Sequence, residues 1–265
     1  MNIMMREMKA HRKSLIIWCI GVVVMVGSGM SKFVVMSSTG QSMNDLIAQM
    51  PKSLQAIMGI GTLDISTASG YFGILFLYLL IMATLHAVML GADIISKEER
   101  DKTVEFLFVK PISRSEIITS KLLAALVNIV IFNIVTWVSS AVIVGKYSNG
   151  ESVSADIAIT MVGMFILQLL FLAIGSAIAS VIKKSKKASS LATGILLMTF
   201  MLSIAIDLND KLDSLKYVTP FKYFEAKNVM YGEGFETVFV LLSVIIIVAL
   251  FTLTFVFYKK RDLNV

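Results

Sequence analysis

The chain has 265 residues, 57% of them hydrophobic and only 16% charged, with a formal net charge of +6, and its mean hydropathy is +0.82. That balance excludes an ordinary soluble domain and places the chain in a membrane. Cys19 is the one cysteine, which excludes an internal disulfide and leaves no Cys pair for zinc.

A bilayer core about 30 Å thick takes roughly 20 apolar residues of helix to cross. Six stretches meet that requirement, near 14–36, 71–95, 117–144, 157–182, 188–206 and 236–258. They are too long for barrel strands. The expected fold class is all-α integral membrane, with 1–265 forming a single six-span domain.

In chain order, residues 1–13 place Ile3, Met4, Met5 and Met8 on one helical face and Arg6, Lys9 and Lys13 largely elsewhere. This predicts a short interfacial helix ahead of the first span. The apolar run that follows is too long for a signal h-region and is followed by no clear small-residue cleavage pattern, so it stays as a span. Between the first two spans, Leu46, Ile47, Met50, Leu54, Ile57 and Met58 recur at helical spacing. A surface amphipathic helix is expected there, bent or started near Pro51 and ended by Gly59 and Gly61.

Small residues repeat every four positions at Ala83, Ala87 and Gly91 on the second span, and at Gly175 with Ala179 and Ser176 with Ser180 on the fourth. That spacing marks close helix approach. The polar residues His86, Asn128, Asn133 and Gln168 fall inside spans. They are either helix-to-helix hydrogen-bond partners or the lining of a substrate path. No carboxylate sits mid-span to relay protons.

The segment 96–121 holds 11 of the 42 formal charges. Within it Val104, Leu107 and Phe108 form an apolar stripe, while Glu98, Arg100, Asp101, Lys102 and Glu105 form a polar one. Lys110-Pro111 should stop this helix, and Ser113 with Glu116 supplies a capping box that launches the third span. An amphipathic helix held between two spans offers a docking face: its apolar ridge fits a partner's groove and its charges set register. Further on, residues 207–235 are too polar to cross and too aromatic to float free. A helix, a turn at Pro220 and a second helix dipping into the outer interface would reconcile the two, as a re-entrant segment.

Lys and Arg resist translocation. With both termini inside, 17 of the 24 fall on the inner face, in clusters at 6–13, 97–121, 183–187 and 259–261. The net positive charge is then topological and suits anionic lipid, with no call for nucleic acid. No G-x-x-x-x-G-K-[ST] occurs, so ATP hydrolysis is not expected of this chain. The only histidines are His11 and His86, and neither meets a serine at matching depth, so no catalytic residue and no metal site is expected.

The run ahead of T-V-E-F-L-F-V-K-P-I-S-R-S-E-I, with Lys121 and Leu122 entering a span, resembles the inner-loop signature of the type 2 ABC transporter permeases. Lys102 stands where that family often has glycine. Met50-Pro51-Lys52-Ser53-Leu54 with Gly59 and Gly61, and Thr219-Pro220-Phe221-Lys222-Tyr223-Phe224, are similar to the family's first and last outer segments. The resemblance implies a plasma-membrane permease subunit of an ATP-driven exporter. It implies a second permease subunit, identical or related, and two copies of a separate ABC ATPase that bind the ATP and Mg; this chain itself would bind no cofactor.

The resemblance also maps a coupling helix onto 97–109, inside a coupling loop 96–114, with Lys97, Glu98, Glu99, Arg100, Glu105, Phe106 and Phe108 as ATPase contacts. Amphipathic or antimicrobial peptides are the leading cargo. A small drug or antibiotic, or a membrane immunity or scaffold protein that transports nothing, are the alternatives. A channel finds no support, for want of a filter-like sequence.

Overall fold

The computed structural model describes residues 3–37, 43–60, 63–100, 113–148, 150, 152–182, 184–232 and 234–260. Six helices are long and apolar enough to cross a membrane. They are Ile3–Ser37, Ala68–Arg100, Arg114–Lys146, Ser154–Val181, Ser185–Leu208 and Thr237–Lys260, and are called the first to sixth spans below. Every expected span is present, and no strand occurs among the described residues.

The second and fourth spans form the centre of the bundle, with 61% of each apolar window buried, whereas the sixth buries only 17%. They make the most extensive helix pair. The first span packs on the third, the fifth on the second and the sixth on the fourth. The small-residue repeats explain the central pair: Ala83, Ala87 and Ala179 are wholly buried, and short side chains let two backbones approach closely. The outer spans carry their apolar side chains outward, as with Ile17, Met198 and Ile245. Such surfaces suit lipid.

Residues 3–13, expected as an interfacial helix of their own, are the first turns of the continuous 35-residue first span. They contain no glycine or proline and are rich in Met, Lys and Arg, so nothing stops the helix at residue 13. The expected helix between the first two spans is two short ones, Met43–Ala48 and Lys52–Ile57, divided at Pro51. Gly59 ends the second of them with a φ of +66°, a conformation that favours glycine.

Residues 97–100 continue the second span to Arg100. The rest of the expected coupling helix lies outside the described residues. The third span begins as expected: Ser113 Oγ accepts from the Glu116 N–H at 3.2 Å, and Glu116 Oε2 accepts from the Ser113 N–H at 2.9 Å. Beyond the fifth span, extended Asn209 breaks the helix, its side chain accepting from the Lys211 N–H. The chain then runs through the 3-10 segments Asp210–Tyr217 and Pro220–Lys222 to a short helix, Ala226–Tyr231. The first expected helix of this segment is thus 3-10, and Pro220 opens the second piece rather than a simple turn.

Candidate functional site

Four long-range polar contacts gather at the end of the bundle where the second span finishes and the third begins. Glu7 is wholly buried; its carboxylate takes Arg6 Nη2 at 2.9 Å and Lys97 Nζ at 3.4 Å, with His11 Nε2 at 3.9 Å. Lys121, equally buried, donates to the Ile94 carbonyl at 2.5 Å. Ser96 Oγ donates to Ser185 Oγ at 2.9 Å. Arg114 Nη1 donates to the Lys259 carbonyl at 2.9 Å.

A turn near the end of the second span, Ile94 to Lys97, is therefore gripped from three sides. Glu7 holds it from the first span, Lys121 from the third and Ser185 from the fifth. Leaving the buried Glu7 carboxylate with neither Arg6 nor Lys97 would cost about 3–5 kcal/mol, because its charge would be stranded. This grip makes the turn a firm support for whatever follows Arg100. Of the expected contact residues, Lys97 is part of the grip. Glu98, Glu99 and Arg100 lie in the helical backbone, but their side chains are outside what is described, as are Glu105, Phe106 and Phe108 altogether.

The intramembrane polar residues divide into two groups. Asn133 Nδ2 donates to Gln168 Oε1 at 3.2 Å and to the Met161 carbonyl at 3.3 Å, joining the third and fourth spans. His86 stacks on Phe132, 5.0 Å between centroids, and tilts against Trp18 at 5.5 Å. Asn128 Nδ2 donates to the Ala124 carbonyl at 2.8 Å and to Met8 Sδ at 3.2 Å. His86 and Asn128 both border a cavity.

At the opposite end, the segment after the fifth span is fastened by charge and by rings. Lys222 Nζ lies 2.6 Å from both Asp207 Oδ1 and Glu225 Oε1, and Lys227 Nζ reaches the same two carboxylates at 3.1 and 3.2 Å. Two cations and two anions thus neutralise one another. Phe221 packs between Phe171 and Phe200, and Tyr223 stacks on Phe239 at 4.9 Å. Tyr223 also donates to the Tyr217 carbonyl at 2.5 Å, and burial pushes its phenol up to about 12.

A cavity of about 310 Å³ lies under this cap, between it, the Lys52–Ile57 helix, the second span and the fifth. Its wall combines Phe76, Leu80, Phe200 and Phe224 with Lys52, Gln55, Asp207 and Glu225. An apolar wall with a few charged groups suits an amphipathic occupant.

Sequence reasoning missed Glu7, Ser96 and Ser185, and named Lys121 only within the inner-loop signature. One signal was present for Glu7: it is the only carboxylate before Asp45, set among basic residues on a helix entering the membrane.

The family model described as ABC-2 family transporter protein matches residues 1–263. The chain belongs to that family. No curated protein matches it. As an ABC-2 family transporter protein it is a multi-pass membrane permease, a transport subunit not itself catalytic, and the family implies an ATPase partner. The continuous match makes the two polar ends, the gripped turn and the capped cavity parts of one transport subunit.

Proposed function

We propose that this permease exports amphipathic peptides or similar hydrophobic compounds across the plasma membrane, with both termini cytoplasmic. Two permease subunits, identical or related, form the pathway, and two separate ATPase subunits bind ATP and Mg beneath them. The gripped turn at Ile94–Lys97 carries this reading. Such a rigid end of the second span transmits a push from a docked partner into the bundle, whereas a loosely held end would absorb it.

In this reading the stretch 97–109 is the coupling element, with Lys97, Glu98, Glu99, Arg100, Glu105, Phe106 and Phe108 facing the ATPase. The mixed wall of the capped cavity favours amphipathic cargo over a purely apolar drug. His86, Asn128, Asn133 and Gln168 either line the pathway or bond helix to helix, as Asn133 does to Gln168.

Purification of the tagged chain in mild detergent from its native host tests the proposal. A stoichiometric ATPase, lost with Phe108→Asp while membrane insertion persists, supports it. Normal assembly of that variant sinks the docking assignment. A chain recovered without ATPase at any salt concentration would favour an immunity or scaffold protein.

A further inference from the structure

Because residues 3–13 are continuous with the first span, its charged turns and its apolar turns share one axis and one set of faces. Ile3, Glu7, His11, Leu15 and Val22 are buried against the bundle. Lys9, Arg12 and Lys13 are exposed, and beyond them Ile16, Ile20 and Val24 are exposed by 49%, 59% and 62%. At about 100° per residue these six side chains form a single outward stripe, opposite the buried one.

The three cations of the stripe make no ion pair and no side-chain hydrogen bond among the described residues. Arg6 and Lys97 are drawn to Glu7 instead. Glu7, the only carboxylate before Asp45, is buried on the opposite face. The stripe thus presents three positive charges that no carboxylate of the first span offsets.

The length of the stripe points to what covers it. With a rise of 1.5 Å per residue, the helix climbs about 16 Å from Lys13 to Val24, close to half of a hydrocarbon core about 30 Å thick. The cations then stand at headgroup level, and the apolar part runs the depth of one leaflet. A soluble protein partner reaches the cations alone. A phospholipid covers both parts, with its headgroup on the cations and its chains along Ile16, Ile20 and Val24. Arg12 supplies a planar fork that matches two phosphate oxygens, and Lys9 and Lys13 add point charges beside it. The general excess of basic residues on one side of a membrane protein does not require this arrangement, because it counts charges without regard to the face they occupy.

We propose that the outward stripe of the first span, from Lys9, Arg12 and Lys13 to Val24, is a docking site for an anionic phospholipid. A zwitterionic headgroup carries its own cation, which three unpaired basic groups repel; a headgroup of net negative charge neutralises them. Each lysine or arginine beside an anionic surface favours it by about fivefold. Together the three should select the anionic lipid by about tenfold or more. Docking needs neither ATPase nor cargo, so this proposal and the export reading fail separately.

The chain has two tryptophans, Trp18 and Trp137. Trp18→Phe and Trp137→Phe combined with Ile20→Trp leave one indole, on the stripe. In the full chain in nanodiscs, lipids brominated along their chains quench that indole on contact. At equal mole fraction, brominated phosphatidylglycerol should quench it in preference to brominated phosphatidylcholine, by about tenfold or more in relative affinity. Adding Lys9→Gln, Arg12→Gln and Lys13→Gln should abolish the preference and leave quenching by phosphatidylcholine as before. Adding Lys184→Gln, Lys186→Gln and Lys187→Gln instead removes three exposed lysines at the same end of the bundle and should keep it.

Equal quenching by the two lipids when all the cations are present would overturn the proposal, and that comparison does not depend on how the glutamine variants fold. A preference that survives removal of Lys9, Arg12 and Lys13 would overturn it too. So would a preference lost equally from both glutamine variants, which would be a general effect of charge at this end. Equal quenching, together with loss of a co-purifying ATPase from the Lys9, Arg12 and Lys13 variant, would reassign the stripe to a protein contact.

Discussion

Gly91 and Gly175 meet where the second and fourth spans cross, each lying against the backbone of the other's helix. A Cβ on Gly91 would overlap the Leu172 carbonyl, and one on Gly175 would overlap the Val88 carbonyl. Neither obstacle is the flexible end of a side chain, so a methyl group can be admitted only by moving helices apart.

Gly175→Ala is therefore expected to destabilise the bundle by about 1–3 kcal/mol, the range for overpacking a tight contact. Gly27→Ala provides the control, because nothing lies within 4 Å of a Cβ there. Thermal unfolding in detergent reads the difference: Gly175→Ala should melt earlier, and Gly27→Ala should match the parent or exceed it slightly.

Glu7→Gln and Lys97→Met should each weaken the grip on the second span, since each removes one side of the pair that joins it to the first. The double variant should lose less than the sum of the two. A double-mutant cycle by denaturant unfolding should return a coupling of about 0.5–3 kcal/mol. Strict additivity would show that the 3.4 Å pair does not act as a unit.

Alkaline pH should loosen the cap. Tyr223 ordinarily ionises near 10 and is held to about 12 by burial; the unfolded chain therefore loses this proton first, and stability falls as pH climbs from 10 to 12. Lys227 acts in the same direction. Burial pulls its ammonium down, but Glu225 and Asp207 outweigh that and hold it above 10.5. Its contribution is intact below the ordinary lysine value and is lost as pH rises through the raised one. Melting followed from pH 8 to 12 should show the fall, and Tyr223→Phe should flatten the tyrosine part of it.

Ser113→Ala should cost about 0.5–2 kcal/mol by removing the cap of the third span. Hydrogen exchange of the amides from Arg114 to Ile117 should rise, with the centre of the span unchanged. Ser113→Asp should restore protection, because aspartate caps as well as serine.

The parts legible in the sequence are those written in local periodicity. Hydropathy located the six spans, and the four-residue spacing of Ala83, Ala87 and Gly91 marked the face that the fourth span covers. Pro51, Gly59 and the Ser113 to Glu116 pair marked boundaries because each acts within one helical turn. The grip was not legible: Glu7 and Lys97 are 90 residues apart, and local patterns carry no record of which distant charges meet. The interfacial helix was expected as a separate piece because its charges suggested a surface. The continuous helix instead buries Glu7 by pairing it, so a charge that signals solvent in isolation signals a partner here. The contacts of His86 with Phe132 and Trp18 depend on three spans converging, which spacing along one helix cannot reveal.

Lys121 also limits how the bundle can move. Its buried ammonium is seated on the Ile94 carbonyl, and sliding the third span by one turn, about 5.4 Å, would carry that charge past its acceptor. Tilting keeps the donor in place. The consequence is kinematic: this one contact resists sliding of the third span along the second more than it resists a change in the angle between them.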